Sequence, residues 1–278
     1  MSVVFSRRSV LAGAGYATAF GSVAAQLLSV ARAAEDAGES AICASMAFAN
    51  SPTAKFDVKY FRDKHLPMLR GIYGDSVERI ELRTPRKLPT MGGNRADQSH
   101  VPSEPPKPMG PPSRVLAAVN VWIRDVKAFG EKTAAASQAV VRDLAEVTDV
   151  EPATQYDKVL LLLGDSRSAI EPSGQVFSTY FPATEGGHFD AKYYGEKVIP
   201  LMVSLYGKEA IRRIEYTMGS SGQGGAKPTM VAASHFYIRN RQAWDAGGMK
   251  AYPQLMAEGS KYTNLMPITA DTEVTAVG

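Results

Sequence analysis

The sequence has very little cysteine and little net charge, and each of these properties excludes some classes of protein. Cys43 is the only cysteine in 278 residues, so no disulfide can form within the chain. Lysine and arginine number 31 against 28 aspartate and glutamate residues, and three of the arginines lie in the first 33 residues. The remainder is electrically neutral, and this balance lacks the electrostatic footprint of a protein that binds nucleic acid or an anionic membrane.

Motifs that mark several common enzyme classes are also missing. No two histidines or acidic residues stand at ligand spacing on one predicted element, which argues against a dedicated metal site. The sequence has no nucleophile elbow, no Cys-His pairing and no glycine fingerprint for a flavin or nicotinamide cofactor. No cofactor is therefore evident from motifs.

The first 33 residues have the pattern of an export signal. Arg7 and Arg8 form a twin-arginine pair, a stretch rich in glycine and alanine follows, and Ala31-Arg32-Ala33 is a small-x-small cleavage site. The apolar stretch is too short and too interrupted to span a membrane. We expect cleavage after Ala33, no membrane anchor afterwards and a periplasmic location.

What the sequence does contain is a repeat. Residues 56–61, FDVKYF, are followed by Pro67 and Tyr73-Gly74, and the pattern recurs 133 residues later as FDAKYY, Pro200 and Tyr206-Gly207. Later matches, such as Ala117-Ala118 with Ala232-Ala233, stand 115 residues apart because the first copy contains an insertion. We predict two units, residues 34–168 and residues 169–278.

Both units show the same order of predicted elements: strand, helix, strand, strand, helix, strand. The predicted elements are 41–48, 58–73, 77–82, 116–123, 126–147 and 159–163, then 175–181, 191–206, 211–217, 230–238, 242–261 and 272–277. This order predicts an α+β fold of two ferredoxin-like βαββαβ units, each with both helices on one face of its sheet. The bare, apolar faces are expected to bury each other as an internal pseudo-dimer, and further homo-oligomerisation is left open.

Prolines predict two local features. The insertion, residues 84–113, carries eight prolines, which favours an extended loop, either a lid over a pocket or a plain surface excursion. Pro67, Pro200 and Pro253 fall within predicted helices, so we expect kinks in the first helix of each unit and an interruption at Pro253.

Two histidines are candidates for chemistry. His65 lies on the apolar stripe of its helix, and the second unit has Val198 at the matching position, so the scaffold does not need a histidine there. An imidazole in an apolar cleft is a suitable acid or base near neutral pH. His235 alternates with Tyr237 on a strand and is expected to point between the two sheets. A purely structural role remains open for both histidines.

The run Phe-Asp-x-x-Tyr-Phe, followed by His65-Leu66-Pro67 and Tyr73-Gly74, resembles the EthD family of the dimeric α/β barrel superfamily. The second unit resembles a degenerate EthD unit without the histidine. The resemblance implies ferredoxin-like units fused as an intramolecular dimeric α/β barrel, and a small-molecule pocket between the first helix and the sheet. It also implies an association with oxidoreduction and carries the family's helix histidine to His65.

We therefore predict a periplasmic protein that binds, and as an enzyme transforms, a small apolar carbonyl or phenolic compound. The expected reaction is His-assisted proton transfer, of isomerase or cyclase type, or oxidoreduction, with His65 and His235 as catalytic residues. The expected ligand-binding residues are Phe61, Leu69, Tyr73, Asn120, Trp122 and Tyr237. Two alternatives are kept: a haem protein with His65 or His235 as axial ligand, and a non-catalytic binding protein.

Overall fold

The computed structural model describes residues 41–86, 115–164, 174–222 and 225–277. The leader, residues 1–33, and all but the first three residues of the insertion lie outside these ranges. The twin-arginine signal, the cleavage site and the lid therefore stay predictions.

The described residues form an α+β structure in which the predicted order of elements occurs twice. The strands are β1 (Ile42–Ala49), β2 (Val77–Pro85), β3 (Val115–Ile123), β4 (Ala153–Leu163), β5 (Gly174–Pro182), β6 (Ile211–Gly222), β7 (Met230–Ile238) and β8 (Ile268–Val277). Helix α1 consists of Val58–Tyr60, Phe61–His65 and Leu66–Tyr73, and α3 of Ala191–Tyr193, Tyr194–Val198 and Ile199–Tyr206. The long helices are α2 (Val126–Val147) and α4 (Arg241–Tyr262).

All eight strands close into one antiparallel barrel. Their order around it is β1-β3-β2-β8-β5-β7-β6-β4, so the first-half strands and the second-half strands each form a continuous group of four. The groups join at both edges, where β2 pairs with β8 and β4 pairs with β6. This closure removes the free edges that an open sheet exposes to other chains.

The helices pack on the outer surface of the barrel, and this arrangement follows from the alternation of side chains along the strands. On β1, Ala44 and Phe48 contribute to an outer core beneath α1 and α2, whereas Cys43 packs with Trp122 and Val159 in a separate cluster. A second outer core lies beneath α3 and α4. Each half therefore has its own helix-covered hydrophobic core.

The expectation that the bare faces are apolar is wrong, because the interior of the barrel is rich in buried charge. Arg79 donates to Glu81, at 2.9 Å, and to Glu215 across the two halves. The Tyr237 hydroxyl lies 2.8 Å from Glu81 Oε1 and 3.0 Å from Glu215 Oε2. Arg83 also donates to Glu81, at 2.7 Å. Buried charges are tolerated where they are paired in this way.

The prolines of α1 and α3 follow π-helical turns, whereas Pro253 does not end its helix. In α1 and α3 the turn just before the proline, Phe61–His65 or Tyr194–Val198, is π-helical. The Leu66 N–H bonds to Phe61 O, one residue further back than in an α-helix. The predicted interruption at Pro253 is wrong, since α4 continues through it from Arg241 to Tyr262.

Candidate functional site

A pocket lies between the outer face of the first-half sheet and helices α1 and α2. The volume open to the centres of water molecules is about 70 Å³, so the pocket is one for a small molecule. Most of the lining is apolar. The lining residues are Ala44, Met46, Phe48, Phe61, His65, Leu69, Tyr73, Val119, Val121, Phe129, Thr133, Val140, Leu144, Glu151, Pro152, Thr154 and Tyr156.

The cavity owes its space to small residues that have larger counterparts in the second half. Ala44 pairs with Val121 between β1 and β3, and the matching pair between β5 and β7 is Phe177 and Phe236. Both of these rings pack against Trp244, at centroid distances of 5.4 and 5.7 Å. The same scaffold is therefore filled with aromatic rings in one half and leaves a pocket in the other.

His65 lines this pocket and is held by an acidic residue of α2. Its Nδ1 lies 2.6 Å from Asp143 Oδ2, and its ring packs on Phe61 with centroids 4.7 Å apart. A carboxylate accepts hydrogen bonds, so Nδ1–H donates and Nε2 is left unprotonated. The arrangement orients the imidazole and leaves Nε2 as the nitrogen that can exchange a proton with a ligand.

The electrostatics of this site favour the neutral imidazole. The His65 side chain is 3% exposed, and this burial lowers the pKa of His65 below its ordinary value. The hydrogen bond and charge of Asp143 oppose that shift. Because the net pKa shift is downward, His65 is a base at neutral pH, and Asp143 stabilises the imidazolium that proton uptake would form.

Asp143 also accepts a hydrogen bond from the Tyr60 hydroxyl, at 3.0 Å. The second half repeats this contact, since the Tyr193 hydroxyl donates to Glu258 at 2.8 Å. At the position of His65, however, the second half has the buried Val198. The tyrosine–carboxylate contact therefore belongs to the scaffold, and the histidine is the element added in the first half.

Three of the residues predicted to bind a ligand, Phe61, Leu69 and Tyr73, line the pocket together with His65. They share the inner stripe of α1, which is why helical spacing identified them. No motif around Asp143 singles this residue out on its own. A signal existed in the repeat, because Asp143 matches Glu258 at the same 115-residue offset as the surrounding helix.

The structure does not bring the other predicted residues to this pocket. Asn120 and Trp122 alternate along β3 with Val119 and Val121, which line it, and adjacent residues of a strand point to opposite faces. Trp122 lies under the Arg79 guanidinium, 3.5 Å from its ring centroid. Tyr237 joins the buried charges described above. Asn120, Trp122 and Tyr237 therefore lie apart from the His65 pocket, which is on the helix-covered face, and their role in binding a ligand stays a prediction.

His235 is also inside the barrel. Its Nδ1 lies 2.9 Å from both Arg83 Nη1 and Ser178 Oγ, so it accepts a hydrogen bond from the guanidinium. Burial, together with the positive charges of Arg83 and Arg79, places the pKa of His235 well below its ordinary value. These contacts make His235 a neutral part of the buried polar network, in a different place from the His65 pocket.

Neither metal nor haem binding is favoured by these residues. Across the described ranges, no three side chains of the His, Cys, Asp and Glu types lie together as a metal site would require. The pocket does not fit haem, because its volume of about 70 Å³ is small for a four-ring macrocycle. Its described lining also includes no lysine or arginine to pair with propionates.

The sequence matches no family model and no curated protein, but solved structures resemble the fold. An anthrone oxidase-like protein is 12% identical, with a TM-score of 0.51 over 87% of this chain and 94% of its own. A Fusobacterium nucleatum protein named as a monooxygenase is 8% identical, with a TM-score of 0.50 over 85% and 92% of the two chains. An EthD-like protein from Ralstonia eutropha is 24% identical over 35% of this chain and 89% of its own, with a TM-score of 0.33.

The two likenesses with TM-scores of 0.51 and 0.50 concern the fold, which in this protein is a closed eight-stranded barrel formed within one chain. At such low sequence identity they show the fold alone, so any activity must be argued from the pocket. No helix within the described ranges has the length and apolar character to cross a membrane.

Proposed function

We propose that this protein binds a small, largely apolar carbonyl or phenolic compound in the first-half pocket and that His65 removes a proton from it. The observation that carries the proposal is the 2.6 Å contact between His65 Nδ1 and Asp143 Oδ2 at the wall of an apolar cavity. A neutral, oriented imidazole in such a cavity is the arrangement that general base catalysis requires.

The step is a proton transfer. His65 Nε2 takes a proton from an acidic C–H or O–H of the ligand, which leaves an enolate or phenolate, and Asp143 stabilises the imidazolium. Return of the proton to another atom of the ligand completes an isomerisation. The proposal concerns the first step, the removal of the proton.

We further propose that each half is a ferredoxin-like unit and that the pair works in the periplasm after removal of the leader. The repeated element order and the Arg7-Arg8 pair support these points. Retention of an Arg7→Lys/Arg8→Lys variant in the cytoplasm would support twin-arginine export, and unchanged export would contradict it.

The proton transfer can be tested with 2-tetralone, a bicyclic ketone with acidic C–H bonds. Incubation with the full chain in D₂O, followed by ¹H NMR, should show deuterium entering the ketone faster than in buffer. His65→Val should slow this exchange by about 10²-fold, because base catalysis typically contributes a factor of that size.

Val198→His is the matched control, since it places a histidine at the equivalent position in a core filled by Phe177, Phe236 and Trp244, and it should leave the exchange rate unchanged. A folded His65→Val variant that exchanges at the wild-type rate would contradict the proposal. Exchange no faster than in buffer with the wild-type chain would also contradict it and would favour the non-catalytic binding alternative.

A further inference from the structure

The pocket has a second polar region, which the proton transfer step does not use. Tyr73, Thr133 and Tyr156 are each buried and line the cavity. Thr133 Oγ1 donates to the Phe129 carbonyl at 2.7 Å. We call these three residues the hydroxyl cluster. Hydroxyl groups in an otherwise apolar cavity commonly fix the orientation of a ligand.

The hydroxyl cluster lies at the opposite end of the cavity from His65. Helix α1 rises by about 12 Å between His65 and Tyr73, and α2 by about 15 Å between Thr133 and Asp143. Asp143 of α2 contacts His65, and Phe129, in the first turns of α2, packs on Tyr73 with ring centroids 4.5 Å apart. Each helix therefore places the His65–Asp143 contact at one end of the cavity and the residues of the hydroxyl cluster at the other. Exposed Glu151 lines the pocket on the loop before β4.

Both tyrosines in the cluster remain hydrogen-bond donors. Burial raises the pKa of Tyr73, and a hydrogen bond with Thr133 offsets part of that shift. Burial also raises the pKa of Tyr156, with a further contribution from nearby Tyr73. The hydroxyls therefore keep their protons at neutral pH and can donate to an oxygen atom of a ligand.

The second half keeps a tyrosine, Tyr206, at the position of Tyr73 but lacks the other two residues of this cluster. Thr133 matches Gly248 and Tyr156 matches Asp271 at the 115-residue offset, just as His65 matches Val198 at the 133-residue offset. Asp271 pairs with Arg241 at 2.7 Å. Three polar groups of the pocket are thus present only in the half that has the cavity, which is expected if they serve a ligand.

We infer that the pocket takes a ring compound with an acidic proton at one end and a carbonyl oxygen at the other, and that Tyr156 binds this oxygen. The inference rests on the proposed function, because the acidic proton is the one that His65 would remove. When the ring conjugates the acidic group with the carbonyl group, loss of the proton to His65 places negative charge on the carbonyl oxygen. A hydrogen bond from Tyr156 to that oxygen then also favours loss of the proton. Hydroxyaryl ketones have this chemistry.

Four probes separate the two ends: 4-hydroxyacetophenone, 4-ethylphenol, acetophenone and ethylbenzene. Dissociation constants for the full chain are measured by ligand-observed NMR. The wild-type chain should bind 4-hydroxyacetophenone about 5-fold more tightly than 4-ethylphenol, the range that one hydrogen bond gives. Tyr156→Phe should abolish that preference and leave the affinity for 4-ethylphenol unchanged. His65→Val should instead abolish the preference for 4-hydroxyacetophenone over acetophenone.

Tyr206→Phe is the matched control, because Tyr206 stacks on Trp244 at 4.1 Å in the second half and its substitution should change none of the preferences. Thr133→Val gives a second test of the cluster and should weaken the carbonyl preference. Persistence of the full preference in Tyr156→Phe would overturn the inference, as would absence of saturable binding of 4-hydroxyacetophenone by the wild-type chain. If His65→Val still slows deuterium exchange in the first case, the proposed function stands and only the inference fails.

Discussion

Filling the cavity with the residue that the second half uses gives a direct test of where the ligand binds. Ala44 is 4% exposed and matches Phe177 in the repeat. The Ala44→Phe variant would place a phenyl ring where the cavity now lies, between α1, α2 and the sheet. We expect the variant to fold and to lose affinity for 4-hydroxyacetophenone by at least 10-fold.

The change in stability can be bounded from the cavity. At roughly 24 cal/mol per Å³, filling about 70 Å³ would stabilise the chain by up to about 1.7 kcal/mol. Imperfect fit of an added side chain typically costs about 1–3 kcal/mol. The two effects oppose each other, so we expect the free energy of unfolding to change by less than about 1.5 kcal/mol.

The assay combines urea unfolding of the ligand-free chain with a dissociation constant for 4-hydroxyacetophenone. The reverse substitution, Phe177→Ala, is the matched control and should destabilise the chain by roughly 0.5–3 kcal/mol, because Phe177 is only partly buried, without changing that dissociation constant. Val121→Phe, which copies Phe236, repeats the test at the neighbouring strand position. Wild-type affinity in a folded Ala44→Phe or Val121→Phe variant would refute the placement of the ligand in this cavity.

Two further predictions concern titratable groups. Asp143→Asn should lower the pKa of His65 further, because the charge of Asp143 raises that pKa against burial; an unchanged midpoint in an NMR titration of the imidazole would contradict this. Burial raises the pKa of Asp157 to about 6, above its unfolded value of about 3.9, so ionisation of this carboxyl group costs stability. The free energy of unfolding therefore falls as the pH rises from about 4 to about 6, and it stays lower above pH 6. Asp157→Asn should therefore raise the free energy of unfolding by about 3 kcal/mol at pH 8 and little at pH 4, and equal urea midpoints for variant and wild type at pH 8 would argue against this.

Much of the fold could be predicted because it depends on patterns local to the chain. The helix over 126–147 was predicted with the bounds that the structure shows, as was the strand over 230–238. Asp57 accepts from the Tyr60 N–H at 2.9 Å, and Asp190 does the same for Tyr193, so the repeated Phe-Asp motif begins a helix in both halves. These features depend on capping and on hydrophobic periodicity, which a single sequence displays.

The site was only partly predictable because it depends on which sheet face meets the helices and on how full that space is. Period-two alternation separates Asn120 from Val121 but does not say which of them faces the ligand. The cavity results from Ala44 and Val121 facing each other where Phe177 and Phe236 meet in the other half, a comparison that requires the strand register. The charged barrel interior was missed for a similar reason, since Arg79 and Glu215 are 136 residues apart in sequence.

The two halves share the fold that closes one barrel, but they differ in the side chains beneath their helices. Arg79 of the first half pairs with Glu215 of the second, and Tyr237 of the second contacts Glu81 of the first. The second half thus completes the hydrogen bonding of the first-half sheet at β2 and β4 and supplies partners for its buried charges. Its own outer core is filled by aromatic rings and has Val198 at the position of His65. An unfilled cavity beneath the helices costs the first half stability. The strand pairing and the ion pairs that the second half supplies offset this cost.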